Sequence, residues 1–329
     1  MNFLLHVPLS RGSTRGNWIT AQRWAGILET LGHSVNTVDP DEVLKSDFAA
    51  YDCLIGLHAR RSSAVIHQWK RENPSRTVIV ALTGTDLHLD LSAGGLRSAM
   101  VMESLQVADH IVLLEPEGRT KLPREVHQKC CVIFQSSPKA RVNSQGNDDE
   151  FCVSMLAHLR DVKDPSLIVK ALEYLPSESR IRVVHAGEAT TDFWNQQASQ
   201  WDQHCPRYHW LGSVPHDEAL TLLAGSKLTV LTSHHEGAPG VFSEAAAHAV
   251  PVLATAITAS VGILGGNHPG LFQPGDASGL ARLMWKAESE PLFYKQLTTA
   301  SCALCERLSP EQEVQSWRDL IGNFDCSSE

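Results

Sequence analysis

No apolar run in the chain reaches the roughly 18 to 20 residues that cross a bilayer. The segment Met1–Ser10 carries neither a cationic flank nor a cleavage site, so no leader is expected and a cytoplasmic location is. Charge is scarce, at 20% of residues, and its balance is acidic: 28 Lys+Arg against 37 Asp+Glu give a formal −9. That excludes broad binding to nucleic acid or to an anionic membrane surface, because both rest on clustered cations that displace counterions. An anionic ligand must instead be held locally, by a few placed cations and backbone amides. Eight cysteines are too sparse and irregular for a disulfide scaffold. Cys302 and Cys305 form a C-x-x-C that no second pair answers, and on a helix that spacing is one turn. There is no low-complexity tract and no repeat of about 20 to 50 residues.

What is present is 43% apolar side chain over 329 residues, enough for two domains of roughly 150 residues each. Short apolar runs alternate with longer amphipathic segments: Phe3–Val7 then Trp18–Leu31, Cys53–Leu57 then Ser62–Arg71, Thr77–Leu82 then a helix ending near Ala108. Ile111–Leu114, a helical stretch Glu117–Gln128 and Cys131–Phe134 close that half. The polar, Pro- and Gly-containing segment Ser136–Glu150 reads as a linker. The pattern then restarts, with strands at Phe151–Leu156, Ile181–His185, Tyr208–Leu211, Leu228–Leu231 and Pro251–Ala254. Gly279–Phe324 is mostly helical, interrupted at Pro291 and Pro310. The alternation predicts an α/β chain of two Rossmann-like, doubly wound domains over 1–140 and 150–329, with the last helix packing back on the first. Both sheets are expected to present the carboxyl ends of their strands to a central cleft.

The most informative constellation follows the apolar run Leu228–Ser233. It reads His234-His235-Glu236-Gly237-Ala238-Pro239-Gly240, then a helical segment containing Glu244, then Val250–Ala254. A strand, a glycine-bearing loop and a helix in that order offer unpaired N–H groups and a positive dipole end to phosphate. Gly237 and Gly240 let the backbone approach a ligand, and Pro239 at the first helical position gives up an N–H that position does not need. Glu236 in the loop and Glu244 about one turn into the helix supply carboxylates for vicinal sugar hydroxyls. A sugar joined to a nucleoside diphosphate fits that layout.

The segment from Ser233 to Thr255 resembles the E-x7-E region of the family 4 glycosyltransferases of GT-B fold. Further stretches are similar to one branch of that superfamily, the selenosugar synthases of selenoneine biosynthesis. They are Arg15–Ala25, Gly56–Ser62 (GLHARRS), Ala81–Leu87 (ALTGTDL), His158–Pro165 (HLRDVKDP), Ile181–His185 and Ala259–Leu264, in order over nearly the whole chain. The resemblance implies transfer of a sugar, such as N-acetylglucosamine, from a UDP-sugar to the selenium of selenophosphate, giving a 1-selenosugar. It implies that Glu236 and the amides of Gly237, Ala238, Gly240 and Val241 hold the donor sugar and its phosphates, with Glu244 on the ribose. Lys163 would hold the diphosphate as a point charge, with Gly16 also on the donor side. Where the wider family carries an arginine this chain has His158, so Arg160 is the alternative source of the missing cation.

Selenophosphate is a small multiply charged anion, so its site needs cations. Arg60 and Arg61 follow the strand that ends near His58; Arg11, Arg15 and Asn17 lie in a second loop before a helix, and Thr83 and Thr85 in a third. Each arginine taken alone is equally a surface salt bridge. His58 and Asp86 are candidates to orient sugar hydroxyls or the acceptor; His58 can instead be a packed strand-end residue, and Asp86 can cap the following helix. A selenium nucleophile needs no activating base, which leaves positioning and leaving-group stabilisation to the protein. Asp39-Pro40-Asp41 matches the D-x-D string of metal-dependent transferases but reads as a turn, and the His234-His235 pair has no zinc-site spacing, so no metal is expected. Other readings are transfer to a hydroxyl acceptor, and a non-catalytic sensor that binds the nucleotide sugar.

Overall fold

Near-continuous apolar runs such as Cys53–Leu57, Thr77–Leu82 and Leu228–Leu231, rather than alternating ones, suit the central strands of this chain to sheets covered on both faces. The computed structural model describes residues 1–10, 16–43, 45–139 and 149–324. The strands β1 (Asn2–His6), β2 (Ser34–Val38), β3 (Cys53–Leu57), β4 (Thr77–Leu82), β5 (His110–Leu113) and β6 (Cys130–Val132) form one sheet. Its order is β2-β1-β3-β4-β5-β6, all parallel. Helices α1 (Gly16–Thr30), α2 (Pro40–Val43), α3 (Ser63–Glu72) and α4 (Gly95–Val107) make the connections. Every residue of β3 is buried, and Leu4, Leu54, Val80 and Ile111 lie at the centre of this core.

A second parallel sheet comprises β7 (Phe151–Leu156), β8 (Ile181–Ala186), β9 (Tyr208–Gly212), β10 (Leu228–Leu231), β11 (Val252–Thr255) and β12 (Leu271–Phe272), in the order β12-β11-β10-β7-β8-β9. Its helices are α5 (Ser166–Leu172), α6 (Asp192–His204), α7 (His216–Gly225), α8 (Gly240–Ala247), α9 (Thr258–Leu264), α10 (Ala277–Ser289) and α11 (Pro291–Leu304). The core of this unit gathers Val153, Ile168, Val183, Val230 and Leu253.

The chain divides into Met1–Gln135 together with the segment from Pro310, and Ser136–Ser309. The final helix, α12 (Pro310–Gly322), thus belongs to the N-terminal unit. There Trp317 packs edge-on against Trp24 of α1 at 4.9 Å, and the buried Glu313 accepts from Trp24 Nε1 at 2.9 Å and pairs with Arg23 at 3.0 Å.

Two local readings change. The stretch Glu117–Gln128 is not one helix but two 3₁₀ turns, Pro116–Lys121 and Arg124–Lys129, because Pro123 holds the junction extended. Pro239 stands one position before the helix, at its N-cap with ψ 118°, and Gly240 is the first helical residue. The two units divide at Ser136, the first residue of the segment read as a linker. Asp39 accepts from Asp41 and Glu42 N–H, both at 3.0 Å, while Glu42 Oε2 accepts from Asp39 N–H: a capping box on α2.

Candidate functional site

The C-terminal unit assembles one constellation at the carboxyl ends of β7 and β10. A 3₁₀ turn over Asp161–Lys163 follows β7 and ends in Asp164 at φ 41°. The loop after β10 is stitched to that turn: Thr232 Oγ1 donates to Lys163 O at 2.6 Å, and His234 N–H donates to Val162 O at 2.8 Å. This brings Lys163 Nζ onto Glu236 Oε1 as an ion pair. Ser233 Oγ donates to the same oxygen at 2.6 Å, and Thr255 Oγ1 fixes Ser233 O from β11. Glu236 Oε2 has no partner among the described residues.

Beyond Glu236 the N–H groups of Gly237, Ala238, Gly240 and Val241 donate to no acceptor among the described residues. These are the unsatisfied donors that open α8, carrying the positive end of its dipole. Glu244 reaches back over them, since a Cβ on Gly240 would lie 3.7 Å from its Oε1. Lys163, a row of free amides and two carboxylates can hold a diphosphate and hydroxyl groups together.

His158 does not supply the missing cation. Its Nδ1 accepts the Glu188 N–H at 3.2 Å, which places the proton on Nε2. Burial, and then Arg160 and Lys163, pull its pKa below the usual value against Glu188, so it is neutral near pH 7. Arg160 is exposed; its carbonyl accepts the Lys163 N–H at 2.9 Å, and its side chain makes no hydrogen bond or ion pair with the described residues. The turn carrying these residues is locked from beneath. A Cβ on Gly187 would meet Ala157 O at 1.8 Å, so only glycine permits this crossing of backbones. Beside it the enclosed His185 donates to Ala157 O from Nε2 at 2.8 Å and accepts from Tyr208 OH at 2.7 Å. An isolated histidine at the end of an apolar run gave no sequence signal for that bracing role.

The N-terminal unit builds a second cluster at the ends of β3 and β4. His58 leaves β3 with φ 70°, a left-handed conformation uncommon for a residue with a Cβ. Its ring is buried; Nε2 lies 2.9 Å from Thr85 Oγ1 and Nδ1 accepts the Arg61 N–H at 3.4 Å. A single π turn over Asp86–Asp90 follows. Asp86 is fully buried and accepts four N–H groups, from Thr83, Gly84 and Leu87 on Oδ1 and from Ala59 on Oδ2. It is therefore a brace between the two loops rather than a group that meets a ligand. Asp90, which the sequence did not single out, pairs with Arg60 Nε at 2.6 Å. Arg61 is exposed and its side chain is unpaired among the described residues. Asn17 Nδ2 donates to Thr83 Oγ1 at 3.3 Å, tying the head of α1 beside Gly16 to the same loops. Arg11 and Arg15 lie outside the described residues.

Two parallel six-stranded sheets with flanking helices are the GT-B fold of glycosyltransferases. Residues 103–301 match the family described as glycosyl transferases group 1, more than half of the chain, which belongs to that family. Among solved structures, the chain is similar to HepE of Anabaena in complex with UDP and glucose at 15% identity and TM-score 0.78, covering 98% of this chain and 100% of that one. It is similar to sucrose-phosphate synthase of Thermosynechococcus elongatus at 14% identity and TM-score 0.81, covering all of both chains. The pneumococcal O-GlcNAc transferase GtfA, in complex with UDP and GlcNAc, matches at 13% identity and TM-score 0.66 over 86% of this chain and 58% of that one. No curated protein matches the sequence. Among the described residues, no helix is long and apolar enough to cross a membrane.

Proposed function

We propose that the protein is a selenosugar synthase: it transfers a sugar, N-acetylglucosamine in this reading, from a UDP-sugar to the selenium of selenophosphate. The observation that carries the donor half is the Lys163–Glu236 pair beside the unpaired amides of Gly237, Ala238, Gly240 and Val241. Lys163 and those amides take the charge that grows on the diphosphate as the bond between the anomeric carbon and the phosphate oxygen breaks. Glu236 Oε2 is open to a sugar hydroxyl, and Glu244 serves the ribose. Fold neighbours in complex with UDP and glucose, or UDP and GlcNAc, support a uridine donor.

The anion half is Arg60 and Arg61, with Arg11 and Arg15 as further cations. A selenium lone pair forms the new C–Se bond and the electron pair of the broken C–O bond leaves on UDP. Water then cleaves the P–Se bond to give phosphate and the selenol. No metal enters this scheme, and Arg160 takes the place of the cation that His158 lacks. The sequence stretches GLHARRS, ALTGTDL and HLRDVKDP support this acceptor over an alcohol.

The test is mass spectrometry of the purified protein with fresh selenophosphate and UDP-N-acetylglucosamine, with thiophosphate and acceptor-free controls. A selenium isotope pattern on an N-acetylhexosamine, with stoichiometric UDP, is the expected product. UDP release without selenium incorporation would reassign the enzyme to a hydroxyl acceptor, and donor binding without turnover would make it a sensor.

A further inference from the structure

The anion half of the site holds more charge than its two arginines. The groups that face His58 are Asp86 and Asp90 from the π turn, Arg60 and Arg61 from the turn after β3, and the hydroxyl of Thr85. Asp86 Oδ2 lies 3.8 Å from Nδ1, and Asp90 Oδ2 lies 3.8 Å from Nε2, so the ring is held between two carboxylates. The same Asp90 oxygen is the partner of Arg60 Nε at 2.6 Å. Burial is the largest cause lowering the His58 pKa from 6.5; Asp86 and Asp90 raise it, and Arg61 and Arg60 lower it. The Arg61 N–H directed at Nδ1 requires the neutral ring to carry its proton on Nε2, toward Thr85.

Resting on the reading of Arg60 and Arg61 as an anion site, we propose that this site takes up a proton together with its anion: His58 becomes imidazolium when a divalent oxyanion engages the arginines, and Asp90 is the positioning residue that couples the two. An oxyanion neutralises Arg60 and Arg61, which are the two groups that oppose protonation through their charge. Asp86 and Asp90 remain, and both favour the cation. A proton from solvent enters at Nδ1, the lone pair that faces Asp86; the only bond formed is N–H, and the Arg61 amide gives up its acceptor. Asp90 reaches both Arg60 and His58, so an anion that draws on Arg60 leaves Asp90 with more charge to offer the ring. The site thereby favours the fully deprotonated form of an acceptor and stores the proton beside it. A nucleophile that must attack unprotonated gains from that separation.

Calorimetric titration with sulfate, which does not itself titrate near neutral pH, tests the coupling in buffers of differing ionisation enthalpy. The expected result is uptake approaching one proton per sulfate, with affinity falling by up to about tenfold for each pH unit of increase between the anion-free and the anion-bound pKa of His58. His58→Asn, a residue type that tolerates a positive φ, should bind sulfate without proton uptake, and Asp90→Asn should bind more weakly with reduced uptake. Sulfate binding by the unaltered protein without proton uptake overturns the coupling and leaves the anion site standing, as does uptake that persists in His58→Asn. Absence of sulfate binding also overturns the coupling; selenophosphate-dependent turnover, measured in parallel, decides whether the proposed function falls with it.

Discussion

Acid will unfold this chain through its buried histidines, and the effect is large enough to read one imidazole at a time. Burial is the leading cause that brings His6, His185 and His268 from 6.5 down to about 4. Asp39 opposes it at His6; at His185 the Ala157 carbonyl opposes it and His158 adds to it. Each unfolded imidazole titrates near 6.5 and its folded counterpart near 4, so between those values the unfolded chain holds the extra proton. Stability from these groups is therefore complete above 6.5 and is lost as the pH falls toward 4. With about 1.4 kcal/mol for each pH unit, one histidine removes about 2 kcal/mol by pH ~5 and about 3.4 kcal/mol once both states are protonated. His185 and His268 share the C-terminal unit, where the two together remove about 4 kcal/mol at pH ~5, a large part of the ~5 to 15 kcal/mol that holds a domain. Equilibrium urea unfolding at pH ~7.5 and pH ~5, followed by tryptophan fluorescence, measures the difference, and His185→Gln should shrink it by about 2 kcal/mol. Equal stabilities at the two pH values, or a His185→Gln protein with the pH dependence unchanged, would refute the reasoning.

Lys163→Ala and Glu236→Gln should each lower donor-dependent UDP release by about 10²-fold or more in protein that remains folded, as read by circular dichroism; normal turnover in folded variants would remove the site assignment. Arg61→Ala should raise the selenophosphate requirement more than the UDP-sugar requirement and leave stability unchanged, as read from initial rates and melting curves. Arg60→Ala should raise that requirement and also lower the melting midpoint, because Asp90 is left buried without its 2.6 Å partner; identical melting curves for the two variants would deny that distinction. Gly187→Ala should destabilise the C-terminal unit by about 3 kcal/mol or more in urea unfolding, since its Cβ has nowhere to go. Soluble Gly187→Ala protein with parental stability would show that the crossing at Ala157 is looser than described.

The two clusters were unequally legible in the sequence, for a physical reason. The donor half uses one continuous strand, loop and helix, so Glu236, the free amides and Glu244 are close in sequence as well as in space. Only Lys163 arrives from elsewhere, and the hydrogen bonds from Thr232 and His234 that deliver it are backbone-directed, which no residue pattern announces. Pro239 was misplaced by one residue because proline's fixed φ suits the N-cap as well as the first helical position. The N-terminal cluster draws on the ends of β3 and β4 and on a π turn, a rare conformation with no sequence rule. That is why Asp90 passed unremarked and why Asp86, offered as a group facing the ligand, proves to be occupied by four backbone donors. His158 carries the argument furthest. From sequence it is a histidine in an arginine's place and could have kept the charge; loss of solvent first, then the two neighbouring cations, lower its pKa against Glu188, and the Glu188 amide takes its Nδ1. With Lys163 held by Glu236 and His158 neutral, a diphosphate bound at this cluster would draw on backbone amides as well as on side-chain charge. The unpaired N–H groups at the head of α8 are therefore the feature on which a donor-binding assignment for this chain most depends.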